Sequence, residues 1–270
     1  MVTANSKQAR NQDIIVITGQ DLRHQYFIKK LNARFKIAAV IIEPSDYPLP
    51  PLITEEDTQV WNWFFERRQA FEEDTILPKL GIECMNEPEV YYLGKNEINS
   101  EKTCSILKKY SPGFIAVFGI GILKENILSL YPDSIFNLHA GLPEYYRGSS
   151  CNFWPIYNCD LKKLGATIHR VEKGVDTGKI AAEKSIHLEV TDNEQSLIWK
   201  TMETGTQLME ETIEKWQSGM LNLEKQKKAG NLYKRNDFNP AAILKVKKMV
   251  ESGELKTHIE STIRGFYPKP

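Results

Sequence analysis

No charge of either sign dominates the chain: Lys plus Arg and Asp plus Glu both number 35 in 270 residues. Attachment to nucleic acid or to an anionic membrane through an overall field needs a basic excess, so neither partner is expected. Long apolar runs are also missing. The longest near-continuous stretch, Phe114 to Leu123, has 10 residues and contains two glycines, against the roughly 20 that a bilayer span requires. Residues 1–12 hold no apolar run that could form a signal-peptide core, so a cytoplasmic location is expected. Cysteine is scarce. The four, at 84, 104, 151 and 159, form no CxxC pair and no zinc-like spacing, and read as free thiols of a reducing compartment. No internal repeat is visible, which sets aside solenoids and propellers. The first apolar run ends in Thr18-Gly19-Gln20-Asp21-Leu22, which is neither a GxGxxG turn nor a Walker loop, so no nucleotide cofactor is expected there.

What is present is an ordinary globular composition, 41% hydrophobic and 26% charged, and a length equal to one or two domains of about 150 residues. After a polar arm at 1–12, Asp13 to Gly19 is a continuous apolar run, as expected of a strand buried on both faces of a parallel sheet. Helical spacing from Leu22 to Leu31 and an apolar run from Phe35 to Ile42 complete a βαβ opening. A proline-rich loop at Tyr47 to Leu52 precedes a long helix expected over Glu55 to Lys79. Strands are expected at Ile82 to Met85, Phe114 to Phe118 and Ser134 to His139, alternating with helices at Ser100 to Tyr110 and Lys124 to Leu130. Two further strands, Gly165 to Val171 and Lys179 to Val190, flank a turn-rich loop. Thr191-Asp192-Asn193-Glu194 fits a capping box opening a helix that runs to Trp216. Residues 13–217 are therefore read as the main domain and 218–270 as a C-terminal extension. From Gln217 onward, 11 basic residues face 5 acidic ones, a net +6 that balances the −6 of residues 1–216.

In an open α/β sheet, ligands bind at the carboxyl ends of strands. Two loops there stand out. Phe118-Gly119-Ile120-Gly121-Ile122-Leu123 lets the main chain approach a flat ligand between apolar walls, although it also reads simply as a glycine-relieved turn. The other runs from Asn137 to Gly148. Asn137 and His139, two apart on a strand, present an amide and an imidazole to one spot. A strand-end His is commonly only a hydrogen-bonded structural residue. Asp176 lies 37 residues after His139 in a glycine-rich turn, where it could converge on the same place or serve as an Asx-turn residue.

In this order and spacing, FGIGIL, NLHAGLPEYYRG and LGATIHRVEKGVDTGKI resemble the 10-formyltetrahydrofolate-dependent formyltransferases, which include enzymes acting on glycinamide ribonucleotide, methionyl-tRNA and amino sugars. The similarity runs from about Phe114 to Ile180. It implies an α/β fold with a Rossmann-like, mostly parallel sheet, helices on both faces and a short C-terminal extension. It also implies 10-formyltetrahydrofolate as cosubstrate, no metal, and Asn137, His139 and Asp176 as catalytic residues. The loop Phe118, Gly119, Ile120, Gly121, Ile122 and Leu123 would contact the pterin. An oxyanion forms when an amine attacks a formyl carbon, and the Asn137 amide and a protonated His139 would stabilise it. Asp176 would hold the imidazolium and help move the proton.

The resemblance narrows the acceptor. The glycinamide ribonucleotide enzymes carry a glycine-rich phosphate loop after strand one, which Thr18 to Leu22 lacks. The methionyl-tRNA enzymes carry a C-terminal β-barrel of roughly a hundred residues, against 54 here after Trp216. Formyltetrahydrofolate hydrolase carries a regulatory domain for which little chain precedes Asp13. The size and the YYRG loop resemble most the amino-sugar nucleotide enzymes, with Tyr146 and Arg147 as acceptor contacts. Ala-Gly-Leu-Pro replaces the Ser-Leu-Leu-Pro that often follows the family His. A hydroxyornithine formyltransferase and a non-catalytic folate-binding protein are the alternatives. The expected partners are a small-molecule amine and, for self-association, a homodimer, with no nucleic acid and no membrane.

Overall fold

The computed structural model describes residues 12–44 and 50–266. The expected polar arm, apart from Gln12, and residues 47–49 of the proline-rich loop lie outside the described residues. The first strand, β1 (Ile14–Thr18), is wholly buried between β2 (Ile37–Ile42) and β4 (Phe114–Phe118), parallel to both. Its unbroken IIVIT run follows from cover on both faces. Ile14 and Val16 enter one core, Ile15 and Ile17 the other. Beyond β2 lies β3 (Glu89–Tyr92), and beyond β4 lies β5 (Ile135–His139). A two-stranded pair made by β6 (Tyr146–Gly148) and β9 (Asn231–Tyr233) stands apart from the main sheet. The main sheet ends with β7 (Gly165–Arg170) and β8 (Ile180–Ser185), both antiparallel to their neighbours, in the order β3-β2-β1-β4-β5-β7-β8.

Helices cover both faces. On one, α1 (Leu22–Arg34), α2 (Glu55–Thr75) and α6 (Glu194–Gln217) share a core with α7 (Pro240–Glu251) and α8 (Glu254–Phe266). On the other face, α3 (Glu101–Tyr110) and the single turn α4 (Glu125–Leu128) bury Leu107 and Ile127. A further turn, α5 (Trp154–Tyr157), follows β6. The α/β class, the mostly parallel sheet and the helices on both faces agree with the expectation. Residues 218–266 form β9, α7 and α8, and Ile243, Val246 and Ile259 are fully buried in the shared core.

Four local expectations are corrected. Ile82 to Met85 forms no strand, because the Asn86 side chain occupies the ladder position beside Ile37, donating to its carbonyl at 2.8 Å and accepting its N–H at 3.1 Å. The strand lies instead at Glu89–Tyr92, an edge segment whose exposed EVYY pattern carries no core-facing alternation. The long helix stops at Thr75 and a 3-10 turn, Leu77–Leu80, follows, since Pro78 supplies no N–H. The expected helix at Lys124 to Leu130 is only the single turn α4. The cap of α6 is Asn193, which accepts from the N–H groups of Gln195 and Ser196, while Ser196 Oγ accepts from the Asn193 N–H. The functional box therefore sits two residues beyond the TDNE start.

The chain leaves β1 toward β2 on one side and reaches β4 on the other, so the strand order switches between β1 and β4. Crevices at the carboxyl ends of such a switch hold ligands. Thr18 ends β1 there and donates its hydroxyl to the Phe118 carbonyl at 2.8 Å.

Candidate active site

A cleft of about 1530 Å³ opens above that switch. The 118–123 loop forms one wall and the ends of β5 and β7, with the Asp176 turn, form the other. Gly119 has φ +66, and a Cβ there would lie 2.5 Å from His24 Nε2, so both conformation and space require glycine. His24 is buried against the Phe118 ring at 5.0 Å, and its Nδ1 accepts the Asp21 N–H at 3.2 Å. Burial, aided by Arg23 and Arg68, holds His24 well below the ordinary histidine range, so the ring is neutral. Glu43, buried at the end of β2, accepts the Gly121 N–H at 2.8 Å and that of Ile98 at 3.4 Å. The loop is thus pinned from beneath at both glycines.

On the facing wall, Asn137 and His139 both line the cleft, as the two-residue strand period requires. The Asp176 turn folds back onto them. Its carboxylate accepts the Gly148 N–H at 2.7 Å and faces His139 Nδ1 at 3.5 Å and His169 Nε2 at 3.4 Å. Asn137 Nδ2 donates to His169 Nε2 at 3.1 Å. Asp176 is held in the left-handed region at φ +51. Gln226 secures its turn by donating to the carbonyls of Asp176 and Gly178 at 2.8 and 2.9 Å. Gly178 is demanded by a close approach: a Cβ would lie 1.7 Å from the Arg170 carbonyl oxygen.

The outer nitrogens fix the tautomers. His139 Nε2 meets the Tyr146 carbonyl at 3.1 Å and His169 Nδ1 meets the Arg170 carbonyl at 3.0 Å. A carbonyl only accepts, so both of these nitrogens carry hydrogen. The nitrogens turned toward Asp176 are then bare in the neutral rings. Burial by itself would raise Asp176, but the positive charge of His139 and His169 once protonated, together with the Gly148 N–H, outweighs it and holds the carboxyl well below the usual carboxylate range. Burial also lowers His139, and the Asp176 charge offsets this only in part. Burial thus disfavours the imidazolium that the Asp176 charge by itself would favour. His139 also has no N–H aimed into the cleft, because its Nε2 hydrogen is engaged by Tyr146. What results is a carboxylate between two imidazole lone pairs, a site short of one proton.

Tyr146 and Arg147 do not line the cleft. Tyr146 is buried, stacks on Tyr233 at 5.9 Å and directs its hydroxyl to Asp160 at 3.4 Å. Arg147 straps the extension to the Asp176 loop, donating to the carbonyls of Gly230 at 3.1 Å and Val175 at 3.4 Å. The cationic side chains that do border the cleft include exposed Lys173, Lys234 and Arg235.

Residues 13–213 match the family described as Formyl transferase. The chain belongs to the formyl transferase family. It is 33% identical over 173 residues to the methionyl-tRNA formyltransferase of Caldanaerobacter subterraneus subsp. tengcongensis, a match covering 64% of this chain and 54% of that protein. The chain thus spans about half the length of such curated relatives. Among solved structures, a 4-N formyltransferase from Francisella tularensis aligns over 84% of this chain and 78% of its own, with TM-score 0.56 and 14% identity. The formyltransferase PseJ from Anoxybacillus kamchatkensis, in complex with UDP-4,6-dideoxy-4-formamido-L-AltNAc and tetrahydrofolate, aligns over 86% of this chain and 97% of its own, with TM-score 0.50 and 18% identity. These two likenesses establish the formyl transferase fold.

Three cleft residues escape a reading of the sequence. His169 lies inside the apolar run GATIHR and reads as a strand residue. Its period-two relation to Thr167, which donates to the Gly141 carbonyl at 2.9 Å, was the available signal. His24 and Glu43 act only through the tertiary approach of the 118–123 loop.

Proposed function

We propose that this formyl transferase moves the formyl group of 10-formyltetrahydrofolate to an amine of a small acceptor. The observation that carries this reading is the convergence of Asn137, His139 and Asp176 on a cleft wall opposite the glycine-containing loop. The cleft exceeds the roughly 300–1,000 Å³ of a pocket for one small ligand, which suits the meeting of two substrates. Ile120 and Leu123, beside a main chain bare of side chain at 119 and 121, fit a flat apolar ring system carrying polar edges. The folate, when bound, supplies an electrophilic formyl carbon.

Attack by an amine builds negative charge on the formyl oxygen and leaves a surplus proton on the nitrogen. Asn137 has two amide N–H groups. One is spent on His169, and the other serves the developing oxyanion. Asp176 and His139 take the surplus proton, because their facing atoms lack one and each stabilises the other's charged form. His169 orients Asn137 while sharing Asp176.

For the acceptor we propose a nucleotide-linked amino sugar. Lys173, Lys234 and Arg235 border the cleft, while Glu172 beside them is engaged by Arg170 at 2.7 Å. Cations so placed suit a diphosphate. The neighbouring fold of PseJ holds a UDP-linked formamido sugar together with tetrahydrofolate. Identity to the methionyl-tRNA enzymes favours a second reading, the aminoacyl end of a tRNA. Tetrahydrofolate release should be measured with nucleotide-linked 4-amino sugars, methionyl-tRNA and hydroxyornithine. Release driven by the amino-sugar nucleotide is the expected result. Release driven only by methionyl-tRNA or hydroxyornithine would replace that acceptor.

A further inference from the structure

Outside the cleft, three metal-binding donor types meet among the described residues. Cys159 Sγ, a Glu254 carboxylate oxygen and a His258 ring nitrogen all lie within 4.8 Å of one another. Glu254 and His258 stand one turn apart on α8, with Glu254 Oε1 and His258 Nε2 at 3.5 Å. Buried Leu255 and Ile259 anchor the inner face of this helix and so fix where Glu254 and His258 project. Cys159 comes from the turn after α5. Backbone hydrogen bonds from the Cys159 N–H to Ile156 at 3.1 Å and from the Asp160 N–H to Pro155 at 2.8 Å hold that turn. Cys159 has φ +54, where glycine or asparagine is the ordinary occupant, so local conformation does not account for a cysteine there.

We propose that Cys159, Glu254 and His258 bind a zinc-class divalent cation that clips α8 to the turn after α5. A thiolate with an imidazole and a carboxylate selects zinc over magnesium or calcium. Zinc bonds of about 2.0–2.3 Å in tetrahedral geometry put ligand atoms about 3.3–3.7 Å apart. The Glu254–His258 spacing already meets this, and the half-exposed side chains need only small rotations. Water completes the fourth position. Binding breaks the thiol S–H, forms the metal–sulfur bond and releases the proton to solvent, so affinity rises with pH. Burial and the Glu254 charge push the thiol up, while Lys245 works against them. A cation is the species that turns the mutual proximity of thiolate and carboxylate from repulsion into attraction.

Full-length protein freed of metal by chelation is titrated with cobalt(II). The expected result is a thiolate-to-cobalt charge-transfer band that saturates at one ion per chain, disappears on adding zinc, and is lost in Cys159→Ser and strongly weakened in His258→Ala. The folded state of each variant is checked by circular dichroism. In wild-type protein, zinc should also block alkylation at Cys159, mapped by mass spectrometry, while leaving the half-buried Cys84 unchanged. A band that survives Cys159→Ser, the absence of a band from folded wild-type protein, or alkylation at Cys159 indifferent to zinc would each overturn the site and leave only a helix-surface ion pair beside a free thiol.

Discussion

Replacing Asp176 by Asn separates shape from charge. The amide oxygen can still accept the Gly148 N–H, which now binds Asp176 at 2.7 Å. The amide nitrogen can donate to a bare imidazole nitrogen, so the turn keeps its contacts. What disappears is the charge 3.5 Å from His139 Nδ1. Between unit charges at that distance, with an effective dielectric of about 20, the attraction is about 5 kcal/mol, or about 10³- to 10⁴-fold in rate. Acid–base groups typically contribute about 10²- to 10⁴-fold, in agreement with this magnitude. Single-turnover formyl transfer by Asp176→Asn is therefore expected to fall about 10³- to 10⁴-fold, with folate affinity nearly unchanged. Rapid-quench measurement at saturating folate and amine reads the chemical step directly. A folded variant with the wild-type single-turnover rate would refute Asp176 as the proton-accepting charge. His139→Ala combined with Asp176→Asn should be little worse than the more damaging single change, because the two groups act as one unit.

Other expectations follow from the same geometry. Asn137→Ala removes an oxyanion donor and should lower turnover about 10²- to 10³-fold, measured by steady-state folate release. An equal loss of folate affinity would instead mark Asn137 as a binding residue. Gly119→Ala forces φ +66 on an L residue and a Cβ onto His24. It should cost at least about 1–2 kcal/mol by thermal unfolding and weaken folate binding by calorimetry. Lysines and arginine at the cleft border should act through charge, so Lys234→Ala with Arg235→Ala should weaken acceptor binding and flatten its salt dependence. An unchanged salt dependence would remove the phosphate contact. His24 and His139 both titrate below the ordinary histidine value when folded, and Asp176 below the ordinary carboxylate range. Each lowered value contributes stability that is present above the unfolded pKa and lost as pH falls through the folded one. Thermal midpoints should therefore drop as pH falls below about 6.5, and again below about 4. A midpoint flat from neutral to acid pH would contradict those shifts.

The legible parts of the fold are those where local pattern and burial coincide. IIVIT and FIAVF are unbroken apolar runs because both sheet faces are covered, and they read directly as inner strands. EVYY at the sheet edge has one unpaired side and exposed residues, so nothing in its pattern separates it from loop. Asn86 replaces a strand at 82–85 with two side-chain hydrogen bonds to Ile37, an interaction between positions 49 apart. The site divides in the same way. Asn137 and His139 are legible through the strand period, and Asp176 through the sequence of its turn. The His169 contact with Asp176 spans two elements, and Glu43 reaches Gly121 across 78 residues, so neither role exists until the sheet is assembled. Tyr146 and Arg147, which the family resemblance made acceptor contacts, sit on β6, where Tyr146 packs on Tyr233 and Arg147 donates to the Gly230 carbonyl beside β9 and to the Val175 carbonyl.

The most direct test of the central claim follows the formyl group itself. Protein is incubated with 10-formyltetrahydrofolate labelled in the formyl carbon and with the acceptor amines, and the label is traced by mass spectrometry and chromatography. The expected result is label on an acceptor amine, matched by an equal amount of tetrahydrofolate and abolished by Asp176→Asn. Label found only in formate, or on no amine although the folded protein binds the folate, would contradict formyl transfer by this cleft.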